Sequence, residues 1–426
     1  MSLVDRSMGA GDGLVAPEPV PAALDPADVL AEGGGDLAGG LGEIAFESDE
    51  HRWLRESVGG IASKYGHRYY LEQARSGGNT AELWKELAAS GFIGVSIPEE
   101  YGGGGAGISE LAIVCEELAA AGCPSFLLIV SVGICAELLS RFGSDEQKDH
   151  WLPRIANGET NLAFSITEPD AGLNTHNLST TASREGDVYR LNGQKCYASA
   201  VDDAEAVVVV ARTGANRQNG RGQLSLFLVD VDAKGFEKQP IPVEITAPER
   251  QFTLFFDDVE LPASALIGVE GEGLRQLFSG LNPERIMAAA LENGIGLYAL
   301  GKAAGYARER EVWGVPIGAH QGVSHPLAKA KIEVELARLM TQKAAWLHDH
   351  GFKAGEAANI AKYAAAEACL RALDQAIQTH GGNGLATEYG LATLWGAARL
   401  QRTAPVSREM IFNYIAQHSL GLPRSY

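Results

Sequence analysis

The sequence predicts an α+β protein in three parts, a helical part, a strand part and a second helical part. Apolar residues recur at three- and four-residue steps from Ser48 to about Gly158, the period falls to two between about 160 and 270, and the helical period returns from Gly273 to about Leu420. At roughly 150 residues per domain, a chain of 426 has room for two or three domains and a large core. The expected domains are residues 45–160, 161–271 and 272–426, behind a leader of residues 1–44.

The leader is rich in Gly, Ala, Pro and acid, and holds −7 of the net charge of −19. With no periodic apolar face it cannot offset the entropy of ordering, so disorder is expected there. A transit peptide would be Arg-rich, and a secretory signal would join a basic start to an apolar stretch; the leader has neither pattern. The acidic balance disfavours nucleic acid and anionic membranes as partners. The most apolar run, Phe126 to Leu139, is about half a bilayer-spanning length and contains Glu137, which predicts a buried helix in a soluble protein. The five cysteines, Cys115, Cys123, Cys135, Cys196 and Cys369, are odd in number and lack close Cys/His pairing. Reduced thiols, a cytoplasmic location and no metal are the corresponding expectations.

In the first part, Leu83, Leu87 and Ala88, then Leu111, Val114, Leu118 and Ala119, mark helix faces. Tyr101 and the glycines Gly102 to Gly105 break one helix from the next. Ser144, followed by Asp145, Glu146 and Gln147, reads as an N-cap with an acidic first turn. In the second part, strands are expected at Leu162 to Ile166, Val207 to Ala211, Leu224 to Val231 and Phe252 to Phe256, with a hairpin turn at Asn192-Gly193. The Ala-, Leu-, Arg- and Glu-rich third part predicts long antiparallel helices. There is no βαβ alternation and no G-x-G-x-x-G between a strand and a helix, and neither a P-loop nor a G-x-S-x-G appears, so a dinucleotide-binding or hydrolase reading has little support.

Five segments carry the chemistry: Ala163 to Gly172, Asn192 to Ser199, Tyr306 to Gly314, His320-Gln321, and Gln378 to Gly384. Together, in this order, they resemble the acyl-CoA dehydrogenase family over about residues 48 to 420. The resemblance implies a helical domain, a β-barrel and a four-helix bundle around FAD. It places the flavin ring against Phe164, Ile166, Thr167, Tyr197 and Ser199, which suits a flat ring with a polar rim. It places Arg310 on the pyrophosphate, Val312 and Trp313 beside the ring, and Gln321 on the adenosine half. Gln378, Gly381 and Gly382 would bring backbone N–H groups to the FAD of a neighbouring subunit. A homodimer is then the smallest active unit, and a dimer of dimers is the family norm.

The reaction implied removes the α proton of an acyl-CoA while hydride leaves the β carbon for flavin N5, giving a trans-2-enoyl-CoA, with an electron-transfer flavoprotein or similar acceptor downstream. It needs a carboxylate base and donors to the thioester oxygen. In many members the base lies 21 residues after the last Gly of the glycine loop, and that position here is Pro405. In isovaleryl- and long-chain-type members it stands before an Arg 25 residues upstream of the pyrophosphate arginine. That position is Glu284, followed by Arg285, so Glu284 is the candidate base, with Arg285 and Asn282 on the substrate side. A base working near neutral pH needs a raised pKa. Proline also lacks the N–H that usually meets the thioester oxygen. Leu173-Asn174 stands where the family often has Ser-Asp, Ser407 keeps a hydroxyl near the cofactor, and Glu409 replaces a Gln. Two rivals stand beside this reading: a flavin oxidase or monooxygenase on the same fold, and a non-catalytic partner subunit of a heteromeric dehydrogenase.

Overall fold

The computed structural model describes residues 47–215 and 222–424; the leader of residues 1–44 lies outside the described residues. Helix α1 spans Asp49–Ser76, starting where the Ser48 side chain accepts from His51 N and ending at Gly77 in the left-handed region. Helix α2, Ala81–Ala89, buries Leu83, Trp84 and Leu87, while Ala88 is half-buried. Past the glycine-rich break, α3, Ile108–Ala120, buries Leu111, Val114, Leu118 and Ala119 as the spacing predicts. The apolar run follows as a buried π-type stretch, Leu128–Ala136, continuing into α4, Glu137–Phe142. Among the described residues no helix is long and apolar enough to cross a membrane. Helix α5, Asp145–Ala156, begins with a reciprocal capping box between Ser144 and Gln147.

The middle part is one curled sheet of β1 (Leu162–Ser165), β2 (Thr181–Glu185), β3 (Val188–Ser199), β4 (Ala206–Ala215), β5 (Gly222–Asp230), β6 (Phe236–Ile241), β7 (Gln251–Pro262) and β8 (Leu266–Ile267). Its order is β6-β7-β3-β2-β4-β5-β8, with β1 parallel on β4. Val207, Val209, Phe227, Val229, Leu254 and Leu261 enclose a core of their own. The alternate residues Leu162, Val208, Val210, Leu224, Leu226, Leu228 and Ile267 join the core shared with the helices. With both faces buried, these strands read as near-continuous apolar runs. No recorded pairing joins β6 to β8 among the described residues, so the barrel is open.

The Asn192-Gly193 expectation is corrected. The chain runs straight through this dipeptide inside β3, and the β2–β3 turn is Gly186-Asp187, with Glu185 paired to Val188. Gly193, at φ 144°, marks a register shift against β7, and a Cβ there would lie 2.7 Å from Thr180 Cα. The glycine serves a close approach between strands, which a local turn rule cannot see.

The third part opens with α6, Gly273–Glu309, in which every residue from Arg285 to Leu297 is buried. A helix buried on all sides belongs at the centre of a bundle. The short hairpin β9 (Glu311–Val312) and β10 (Val315–Pro316) leads to α7 (Gln321–Asp349) and α8 (Gly355–His380). Two shorter helices follow and pack on α8, α9 (Trp395–Leu400) and α10 (Arg408–Tyr414), with Ser407 capping the latter.

Candidate active site

The residues expected at a flavin ring come together where β1 ends beside β3. Phe164, Ile166 and Thr167 are half-buried, and Cys196 N donates to the Thr167 carbonyl at 2.9 Å, tying the two segments. Below them lies a pair missing from the sequence reading. Lys195 Nζ donates to Glu168 Oε1 at 2.8 Å and to the Ile166 carbonyl at 2.9 Å. Glu168 also accepts from Ser179 N, Ser179 Oγ and Thr180 N. Burial would raise its pKa, but these donors bring it down to about 2. The only signal available was a Lys inside an apolar strand three residues after Asn192.

On the outer side, Tyr197 stands at φ 57° with 63 % of its surface exposed. Ser199 Oγ accepts from Gln251 Nε2 at 2.8 Å. Ser165 Oγ is buried without a hydrogen-bond partner. Leu173 is exposed, in keeping with a position where the family carries a hydroxyl.

The second group gathers at the far end of α6. Arg310 ends the helix, exposed and without a hydrogen bond or ion pair from its guanidinium among the described residues. Val312 pairs with Val315, which leaves Trp313-Gly314 as a two-residue turn with φ of 54° and 81°. That geometry needs positive φ at both positions and sets Trp313 at the tip, 89 % exposed. Gln321 opens α7, and Gln378 lies in the last turn of α8, both exposed. Tyr306 stacks on His380 with ring centroids 4.3 Å apart, holding the α6 end beside the glycine loop. At Gly381 and Gly382 an added Cβ would meet nothing, whereas at Gly384 it would lie 2.4 Å from the Ile377 carbonyl. The first two glycines therefore keep an open surface, and the last serves packing.

No hydrogen bond, ion pair or ring contact recorded among the described residues joins these two groups. Each nevertheless offers part of what one ligand would need. The first offers backbone edges, hydroxyls and an exposed aromatic ring; the second offers an unpaired guanidinium, an exposed indole and side-chain-free backbone. Two non-glycine aromatics held at positive φ in the open are costly features that functional sites retain. The set fits a flat amphipathic ring joined to an anionic linker, as in FAD.

The third group surrounds Glu284, half-buried in the first half of α6 with no hydrogen-bond partner for its carboxyl among the described residues. Burial raises its pKa to about 7, against the lowering pull of Arg285 and Lys362. Arg285 is engaged by protein: Nη1 donates to Asn359 Oδ1 at 2.7 Å, Nη2 to Asn282 Oδ1 at 2.6 Å, and Nε to the Leu281 carbonyl. Asn282 thus orients Arg285. Pro405 lies in the loop before α10, where Lys362 Nζ donates to the Val406 carbonyl at 2.6 Å and Arg402 pairs with Glu367 at 2.6 Å. Ser407 Oγ accepts from Met410 N, and Glu409 pairs with Arg408. Lys362 and Glu292, a buried carboxyl on α6, were also missed; their signal is an ionisable residue on an apolar helix face, Lys362 falling between Ala358 and Ala366.

Comparison with known proteins agrees with this arrangement. Models of the acyl-CoA dehydrogenase N-terminal, middle and C-terminal domains match residues 48–159, 163–259 and 271–420. The chain is 56 % identical to acyl-CoA dehydrogenase FadE12 of Mycobacterium tuberculosis over 383 residues, covering 89 % of this chain and 98 % of that one. The structure of a glutaryl-coenzyme A dehydrogenase in complex with glutaryl-CoA superposes with a TM-score of 0.84 at 31 % identity, over 89 % of this chain and 97 % of the other. An FAD complex of PigA superposes with a TM-score of 0.83 at 28 % identity, over 88 % and 98 %. The helical, sheet and helical parts, the three clustered sites and these matches establish that the chain belongs to the acyl-CoA dehydrogenase family, an FAD-dependent oxidoreductase of acyl-CoA thioesters.

Proposed function

We propose that Glu284 is the base that takes the α proton of an acyl-CoA, in an α,β-dehydrogenation giving the trans-2-enoyl-CoA. The observation that carries this reading is a carboxyl on a buried helix with no hydrogen-bond partner and a pKa raised to about 7. Such a group is ionised to a useful extent near neutral pH and is a stronger base than an exposed glutamate. Pro405, at the family's more usual base position, has neither an acid nor an N–H to offer. FAD supplies the acceptor for the hydride leaving the β carbon. Phe164, Ile166, Thr167, Tyr197 and Ser199 hold the ring of one chain's FAD. Arg310 takes the pyrophosphate, with Val312 and Trp313 beside the ring and Gln321 on the adenosine half, and Gln378, Gly381 and Gly382 reach the FAD of a second copy. Asn282 and Arg285 shape the wall beside Glu284, and Ser407 fixes the start of α10. Reduced enzyme passes its electrons to an electron-transfer flavoprotein.

The test is anaerobic mixing of the flavin-loaded protein with butyryl-, isovaleryl-, octanoyl- and palmitoyl-CoA. At least one bleaches the flavin, and Glu284→Gln slows that bleaching by at least ~100-fold, the usual scale of general-base catalysis. An unchanged rate in Glu284→Gln would overturn the base assignment. Oxygen uptake with peroxide formation and no need for an acyl-CoA would instead support the oxidase reading, and a chain that retains no flavin the partner-subunit reading.

A further inference from the structure

We propose that Lys362 is a positioning residue for this reaction: it ties the loop from Arg402 to Ser407 against α8 beside Glu284, and its charge governs the ionisation of that base. The inference rests on the reading of Glu284 as base. Lys362 is 2 % exposed and shares its helix face with Ala358, Ala365 and Ala366, all buried. A lysine ammonium placed among alanines is costly unless its donors are used and its charge is matched. One donor is used on the Val406 carbonyl, 2.6 Å away, within the loop that carries Pro405. Arg402 and Arg408, both paired to Glu367 of α8, anchor the two ends of the same loop. Lys362 is thus the attachment at the loop's centre.

Burial lowers the Lys362 pKa to about 8, and the acids on the facing helix offset only part of that cost, since burial also pushes Glu292 well above the usual carboxylate range and keeps it protonated. Both oxygens of Glu292 are buried without hydrogen-bond donors, with the Cys369 thiol beside them. The groups facing Lys362 are Glu292, Glu284 and Arg285 on α6 and Glu409 on α10. Those facing Glu284 are Arg285, Lys362 and the Cys135 thiol of the π-type stretch. Arg285 is fixed on Asn282 and Asn359, so Lys362 is the cation whose loss alters the field at Glu284 without releasing a neighbouring guanidinium. Removing a positive charge beside a carboxylate raises that carboxylate's pKa.

The experiment is the pH dependence, from 5 to 9, of anaerobic flavin reduction by octanoyl-CoA, or by isovaleryl-CoA if that reduces the parent faster, in full-length flavin-loaded protein. In Lys362→Gln the amide can still donate to Val406 while the charge is lost. Its acid limb moves up by about 0.5–1 pH unit, and its rate at pH 6 falls about 3–10-fold, while Lys362→Arg follows the parent. Lys362→Met shows the same displacement and in addition a raised KM, because the loop is no longer held. Should Lys362→Met fail to fold, Lys362→Gln and Lys362→Arg decide the matter alone. A Lys362→Gln profile that overlays the parent overturns the inference, as does a Lys362→Arg profile displaced like that of Lys362→Gln. If Glu284→Gln keeps the parent's rate, it is the base reading that fails; if Glu284→Gln is inactive and the Lys362→Gln profile is unmoved, only the present inference fails.

Discussion

Lys195 Nζ and Glu168 Oε1 lie 2.8 Å apart with neither side chain more than 2 % exposed, and between them they join the end of β1 to the middle of β3. The two segments that present Thr167 and Tyr197 are therefore held by an ion pair from beneath. Their outer surface remains free for the cofactor.

Breaking that pair from one side leaves a buried charge without its partner. Lys195→Met should lower unfolding stability in urea by about 3–5 kcal/mol and weaken FAD retention, whereas the double change of Lys195→Met with Glu168→Leu should recover much of the stability. Because Glu168 is held at about 2 in the fold against 4.5 ordinarily, its contribution is complete above pH 4.5 and is lost as pH falls toward 2. Acid unfolding of Glu168→Gln should be correspondingly less steep in that window.

Gly193→Ala should be strongly destabilising although it adds a single methyl. The new Cβ would stand 2.7 Å from Thr180 Cα at a φ of 144°, and neither backbone can retreat from the sheet. A loss of at least ~2 kcal/mol by urea denaturation is expected. Gly186→Ala, at the real turn, meets no neighbour and should lose only the ~1 kcal/mol of a left-handed alanine.

Glu249 reaches from the strand part to the N-terminal helices, where Oε1 accepts from Leu127 N at 3.2 Å while Oε2 is buried without a partner. Burial raises its pKa to about 7, so its neutral form is the one the fold accepts. Stability from this group is complete below pH 4.5 and is lost as pH rises to about 7. Glu249→Gln should therefore be more stable than the parent at pH 8, by on the order of 1–3 kcal/mol, and equal to it at pH 4.5. Urea titrations at the two pH values check both statements.

All five thiols are buried. Burial also pushes the Cys115, Cys135 and Cys369 pKa values up, keeping them protonated. A colorimetric disulfide reagent should find no fast thiol in the native protein and five in guanidinium. A rapid native thiol would contradict the packing around these helices.

The parts of this fold that the sequence made legible are those governed by period. Leu83 and Leu87, or Leu111, Val114 and Leu118, fall on one helix face, and the valines of β4 mark a strand whatever surrounds them. Motif spacing singles out Glu284 and Arg310 as candidates in the same way, by counting along one chain. What stayed hidden depends on neighbours distant in sequence. Asn192-Gly193 has the composition of a turn, yet Thr180, across the sheet, gives the glycine its purpose. Lys195, Glu249, Glu292 and Lys362 look like ordinary surface charges until their partners are known, and those partners lie between 27 and 124 positions away in the bonds of Lys195 and Glu249.

The sheet that faces two cores has a consequence for how the molecule comes apart. Its inner residues, such as Val209 and Phe227, belong to a core of strands alone, while Val208 and Leu226 on the same strands lie among helices from both ends of the chain. Cutting the polypeptide between the three matched segments would strip the outer side chains bare even if the inner core survived. Heat should accordingly melt the strands and the helices in a single calorimetric transition, and the strand part expressed alone should clump through its uncovered back.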